Sequence, residues 1–133
     1  LRMSTWSARG LFARKRQLRA RELRRHVDLA SNVDVAGIQE THGTLGDSDV
    51  FFHAHAKFVH FFSPCAVRGA GGVLFLFESA ASAHAVFDCS VFVPGRVARL
   101  SVSSVAGTHV FRIIHNFDSK LHEVCRITDG ILT

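Results

Sequence analysis

The sequence predicts an α+β fold: a mainly antiparallel sheet with one long helix near the N-terminus. Three observations predict it. Residues Phe12 to Ala30 run without Pro or Gly and are rich in Arg, Leu, Ala and Gln, all good helix formers. Nearly everything after Asn32 reads as short apolar or alternating runs, the pattern of strands. Turn signals such as Pro94-Gly95 and Gly107-Thr108 separate those runs at short intervals, as antiparallel connections require.

The elements follow in order. Ser4–Ala8 reads as a short strand closed by Gly10. In the helix that follows, Ala20, Leu23, Val27 and Ala30 recur at steps of three and four and give one apolar stripe, with arginines on the other faces. That amphipathic helix is expected to lie on the sheet. Asn32 ends it, and Val33–Gln39 reads as a buried strand. Gly43–Asp49 carries two Gly, a Thr, a Ser and two Asp, and is expected to be loop. Lys57–Phe62 is a second apolar run, ended by Ser63-Pro64. Gly69–Gly72 is a turn and Val73–Phe77 a strand apolar on both faces. Ala85–Val93, Arg96–Val102 and Val110–Ile114 complete the set.

The chain has 133 residues, enough for one domain, taken as residues 4–133. Apolar residues make up 47 % and charged residues 20 %, a globular balance that excludes intrinsic disorder. With Leu1 at its start and its only Met at position 3, it reads as a fragment. Val73–Phe77 is too short to cross a bilayer, and the basic N-terminus lacks the apolar core of a signal peptide. An intracellular protein without a membrane partner is expected. Cys65, Cys89 and Cys125 form no C-x-x-C pair and fit small buried apolar groups in a reducing compartment. Most of the twelve Phe residues fall in strand-like runs and are expected to supply core.

The formal charge is +5, and Arg9, Arg14, Lys15, Arg16, Arg19, Arg21, Arg24 and Arg25 fall in one short stretch. Such a cluster can neutralise phosphates. The alternative is the solvated face of a helix, and charge alone names no substrate.

The sharpest chemical feature is Ile38-Gln39-Glu40-Thr41-His42, directly after the apolar strand. A carboxylate at the mouth of a rigid strand is well placed to hold magnesium, which takes one or two protein carboxylates and completes its shell with water or phosphate. An ordinary surface Glu is the competing reading. His53, His55 and His60 are close together, and the first two share a face if the stretch is extended. No fourth ligand for a transition metal is evident.

Strand, helix and a strand ending in Gln-Glu-Thr resemble the opening of the endonuclease/exonuclease/phosphatase superfamily. Three further segments agree in order: Ser4-Thr5-Trp6-Ser7-Ala8-Arg9-Gly10-Leu11, Gly71-Gly72-Val73-Leu74-Phe75 and Gly95-Arg96-Val97-Ala98-Arg99-Leu100. The Gln39-Glu40-Thr41-His42 form is most similar to abasic-site and non-LTR retrotransposon endonucleases. The resemblance runs from about Ser4 to Asn116. It implies part of a four-layer αββα sandwich and metal-dependent cleavage of phosphate esters.

By that resemblance Glu40 binds Mg2+ or Mn2+ and is catalytic, and Ser7 stands where the family has a metal-organising Asn. His115, in Ile113-Ile114-His115-Asn116-Phe117, replaces a Tyr near the scissile phosphate and is the second catalytic candidate. Arg14, Lys15 and Arg96 are the nucleic-acid-binding candidates, His42 is expected to line the same cleft, and DNA is favoured over RNA. The family's G-D-x-N and S-D-H segments do not occur, so the resemblance implies an N-terminal half that lacks the second sheet and its outer helix. The expected activity is an incomplete endonuclease. The alternatives are a catalytically inactive fragment that at most binds nucleic acid, and a phosphomonoesterase of the same superfamily.

Overall fold

The computed structural model describes residues 2–8, 10–12, 16–64 and 71–115. Among these, strand β1 (Met3–Ser7) leads to helix α1 (Arg16–Ser31), strand β2 (Val35–Gln39) and helix α2 (Leu45–Ala54). Strands β3 (Phe58–Ser63), β4 (Val73–Glu78), β5 (Val86–Val93), β6 (Val97–Ser104) and β7 (Gly107–Ile114) follow. A 3-10 turn at Ser79–Ala83 links β4 to β5.

The strands form two sheets. One has the order β1-β2-β4-β3 and the other β5-β6-β7. β1 pairs parallel with β2, and the remaining pairs are antiparallel. Alternation along β2 and β4 explains how the layers meet. Ala36, Ile38, Leu74 and Leu76 face the helices and pack with Ala30, Phe51, Phe52 and Phe12. Val35, Val73, Phe75 and Phe77 face the other way and pack against Ala98, Leu100, Val102 and Ile113 of the second sheet. Both faces of β4 are therefore buried, which is why Val73–Phe77 is continuously apolar. Phe75, with no exposed surface, is worth about 1.5–3 kcal/mol on burial.

Three expectations are corrected. A single long N-terminal helix does not describe the molecule: α1 has 16 residues, a second helix of 10 residues follows, and strands dominate. Residues 13–15, the N-terminal part of the expected helix, lie outside the described residues, and Phe12 is a fully buried turn residue rather than a helical one. The Gly43–Asp49 loop is in large part α2. Its start is fixed by a capping box in which the Thr44 hydroxyl accepts from the Asp47 backbone N–H at 3.3 Å and Asp47 accepts from the Thr44 N–H at 2.9 Å. Local capping outweighs the turn preference of Gly46, Asp47 and Ser48.

The second sheet, expected to be absent, is represented by three strands that cover one face of the first. Among the described residues the layers number three, helices on sheet on sheet, and the four-layer αββα arrangement is not complete.

Candidate active site

The candidate site forms where strand ends of both sheets converge. β1 ends at Ser7 and β2 at Gln39 in parallel register, so Ser7 and Glu40 emerge at the same edge. The Ser7 hydroxyl donates to Glu40 Oε2 at 2.8 Å. The loop after β2 is held by backbone bonds on both sides. Gly10 N–H donates to Glu40 O at 2.7 Å, Phe12 N–H to Thr41 O at 2.8 Å, and His42 N–H to Gly71 O at 2.9 Å.

This clamp imposes an unusual backbone. Glu40 (φ 53°) and His42 (φ 54°) both take left-handed conformations, costly for residues with a Cβ. Thr41 between them is fully buried, and its side chain rests on Gly72 so closely that a Cβ there would collide with its hydroxyl oxygen. Strained non-glycine backbone of this kind persists only where the surroundings over-determine it.

The second sheet joins through the same glycine. Gly72 N–H donates to Gly95 O at 3.0 Å, and Gly95 N–H donates to the buried Ser63 hydroxyl at 2.8 Å. Gly95 leads into Arg96, whose carbonyl accepts from His115 N–H at 2.8 Å. His115 Nε2 thereby reaches within 3.3 Å of Glu40 Oε1. Burial pushes the His115 pKa below its ordinary value, Glu40 opposes this, and Arg96 and His42 push the same way as burial. The neutral imidazole is favoured, so the Glu40–His115 approach is a polar contact rather than a full ion pair. The Glu40 side chain remains 31 % exposed and the His115 side chain 12 %.

Of the sequence-derived candidates, Ser7, Glu40, Arg96 and His115 are brought together. His42 joins them. Arg14 and Lys15 lie outside the described residues. The histidine trio is dispersed: His53 is in the last turn of α2, His55 caps that helix, and His60 on β3 stacks on Phe52 at 3.6 Å between ring centroids. Among the described residues no group of three or more His, Cys, Asp and Glu side chains could hold a metal ion. Cys89 is a free, half-buried thiol whose pKa is raised by burial and secondarily by Asp88, while Cys65 and Cys125 lie outside the described residues. No described helix is long and apolar enough to cross a membrane.

Sequence reasoning missed the cradle of Gly72 and Gly95 as a link between the sheets. Its only signal was the pair of glycine-led strands, Gly72-Val73 and Gly95-Arg96-Val97.

No protein-family model matches the chain, and no curated protein matches it. Solved structures do. The AP endonuclease LMAP from Leishmania major superposes with a TM-score of 0.67 at 19 % identity, over 96 % of this chain and 43 % of that one. D. rerio TDP2, crystallised with a single-strand DNA product, gives a TM-score of 0.63 at 13 % identity, over 99 % of this chain and 53 % of that one. Both neighbours have the endonuclease/exonuclease/phosphatase fold, and this chain spans about half the length of each.

Proposed function

We propose that this chain carries the N-terminal half-site of a metal-dependent phosphodiesterase acting on nucleic acid. The observation that carries the reading is the convergence of Ser7, Glu40 and His115, from three strand ends in two sheets, on one partly exposed carboxylate. The donors fit a hard cation. One carboxylate and one hydroxyl cannot enclose a metal, but Mg2+ keeps several waters and binds through one or two carboxylates. Mn2+ accepts the same oxygen donors. Glu40 and Ser7 would hold the ion, which when bound polarises a phosphoryl oxygen and offsets developing negative charge.

The chain's own residues do the rest. The Ser7 hydroxyl fixes the rotamer of the Glu40 carboxylate by donating to Oε2. His115, kept neutral mainly by burial, presents Nε2 beside Oε1 as a hydrogen-bonding group for phosphate or water. Arg96 supplies positive charge at the same edge. Nucleic acid is favoured as substrate because the basic stretch around α1 can neutralise phosphates, with Arg24 and Arg25 exposed. The single-strand DNA product in the TDP2 neighbour agrees with that choice, and with DNA over RNA.

A second reading, a catalytically inactive fragment that at most binds nucleic acid, is favoured by one observation: among the described residues no group of three or more His, Cys, Asp and Glu side chains, at Glu40 or elsewhere, could hold a metal ion. Nicking of supercoiled plasmid in Mg2+ by the purified chain, alongside Glu40→Ala, separates the two. Cleavage abolished in the variant supports a working half-site. A folded chain that binds DNA without nicking it overturns the enzymatic reading.

A further inference from the structure

We infer that Ser63, which makes no hydrogen bond to Glu40 or His115, is a positioning residue of the candidate site. Its hydroxyl sets where the second sheet holds Arg96 and His115 relative to Glu40. Ser63 ends β3, is 7 % exposed, and lines the space between the sheets with Val73, Phe75, Cys89, Val91 and Ala98. A buried polar group among such neighbours is costly unless it is bonded. This one accepts from the buried Gly95 N–H at 2.8 Å.

Gly95 transmits that bond. It is the third residue of the Val93–Arg96 turn, follows Pro94, and has φ 70°, a conformation that suits glycine there. The turn's own bond runs from Arg96 N–H to Val93 O at 3.0 Å, which leaves the Gly95 N–H and carbonyl for other partners. Both go to the first sheet. The N–H donates to Ser63 at the end of β3, and the carbonyl accepts from Gly72 N–H at 3.0 Å, just before β4. Ser63 and Val73 are paired in register, so the two anchors belong to one rigid edge. A single bond lets the turn swing about its contact with Gly72; the second fixes its orientation.

From Gly95 the geometry passes to the site. Arg96 is next in the chain, and its carbonyl accepts from His115 N–H at 2.8 Å. His115 Nε2 in turn stands 3.3 Å from Glu40 Oε1. On the other side Gly72 O accepts from Thr41 N–H at 3.4 Å, beside Glu40. Gly72 thus ties the Glu40 loop to the turn, whereas Ser63 sets the angle at which the turn presents Arg96 and His115. Without the Ser63 acceptor the buried Gly95 N–H has no partner, and the turn tilts toward water to satisfy it. What Arg96 and His115 do once positioned rests on the function proposed above; their positioning does not.

Ser63→Thr and Ser63→Val introduce side chains of the same shape that differ in the hydroxyl, so the pair isolates the bond. Amide hydrogen exchange of the full chain in EDTA, read by NMR, reports the positioning with no metal present. Ser63→Thr keeps the protection of the Gly95 and His115 amides. In Ser63→Val both exchange at least about tenfold faster, while the β4 amides keep their rates. A merely structural role changes the β4 amides as well. Mn2+ titration of the same variants reads the consequence at Glu40, with affinity kept in Ser63→Thr and lowered in Ser63→Val. Ser63→Ala, which adds no volume, replaces Ser63→Val if that variant does not fold. Equal His115 exchange in the Thr and Val variants overturns the inference, as does a loss of protection confined to Gly95. If the unmodified chain takes up no Mn2+, the exchange rates still decide the positioning, and only the metal reading falls.

Discussion

Glu40 Oε1 stands 3.3 Å from His115 Nε2, so the end of β2 in one sheet touches the residue that follows β7 in the other. The contact depends on backbone more than on side chains. Gly72 and Gly95 lock the start of β4 to the β5–β6 turn, and Arg96 then fixes His115. The site is a product of how the two sheets are stitched together.

Ser7 acts on the site through Glu40. Its hydroxyl is exposed, so Ser7→Ala removes one hydrogen bond and costs stability of at most about 1 kcal/mol. Thermal melting of the variant shifts little, while Mn2+ affinity falls by a few fold. Ser7→Asn supplies an amide with longer reach and binds the metal at least as tightly as the unmodified chain. An unchanged affinity in Ser7→Ala assigns no role to the hydroxyl.

Gly72 is the hinge of the stitching. With φ 98° and Thr41 against it, Gly72→Ala introduces both strain and a clash and costs more than about 2 kcal/mol in urea unfolding. The same substitution at Gly107, where a Cβ meets nothing, carries strain alone and costs less.

His42 carries stored strain at φ 54°. His42→Gly is therefore more stable than His42→Ala by about 1 kcal/mol, the reverse of the usual order. Chemical denaturation of the two variants decides it. Equal stabilities mean that the left-handed conformation costs nothing here.

His60 gives a pH dependence whose sign is fixed. Burial pushes its pKa below the ordinary 6.5, against a smaller opposing effect of Asp49. Protonation thus favours the unfolded chain. The contribution to stability is fully present above pH 6.5 and is lost as pH falls below that value. His60→Phe keeps the stacking on Phe52 and removes the titration, so its stability falls less between neutral pH and pH 5 than that of the unmodified chain.

The Thr44 capping box predicts a local cost. Thr44→Ala loses the bond to the Asp47 N–H and lowers stability by about 1 kcal/mol in urea unfolding, with α2 the first element to lose amide protection.

Much of this was legible in the sequence. β2 and Glu40 are plain because an apolar strand and the Gln-Glu-Thr sequence coincide. Each strand of the second sheet was visible singly, since Pro94-Gly95 and Gly107 punctuate alternating runs. Their separation into another sheet was not, because it rests on long-range packing such as Ile113 over Gly37, which needs a glycine and leaves no periodic trace. α2 was missed because its first turn is built from Gly46, Asp47 and Ser48, turn formers whose helical state depends on the Thr44–Asp47 exchange. A Thr-x-x-Asp spacing ahead of Phe51 and Phe52 was the available signal. The histidine trio misled because His53 and His55 were read on an extended segment that proves helical.

Mn2+ titration followed by electron paramagnetic resonance decides whether Glu40 is the metal-binding carboxylate of this site. The unmodified chain takes up Mn2+, Mg2+ competes for the same site, and Glu40→Ala loses binding while keeping its circular dichroism spectrum and melting temperature. Undiminished Mn2+ binding by Glu40→Ala, or none by the folded unmodified chain, contradicts the account.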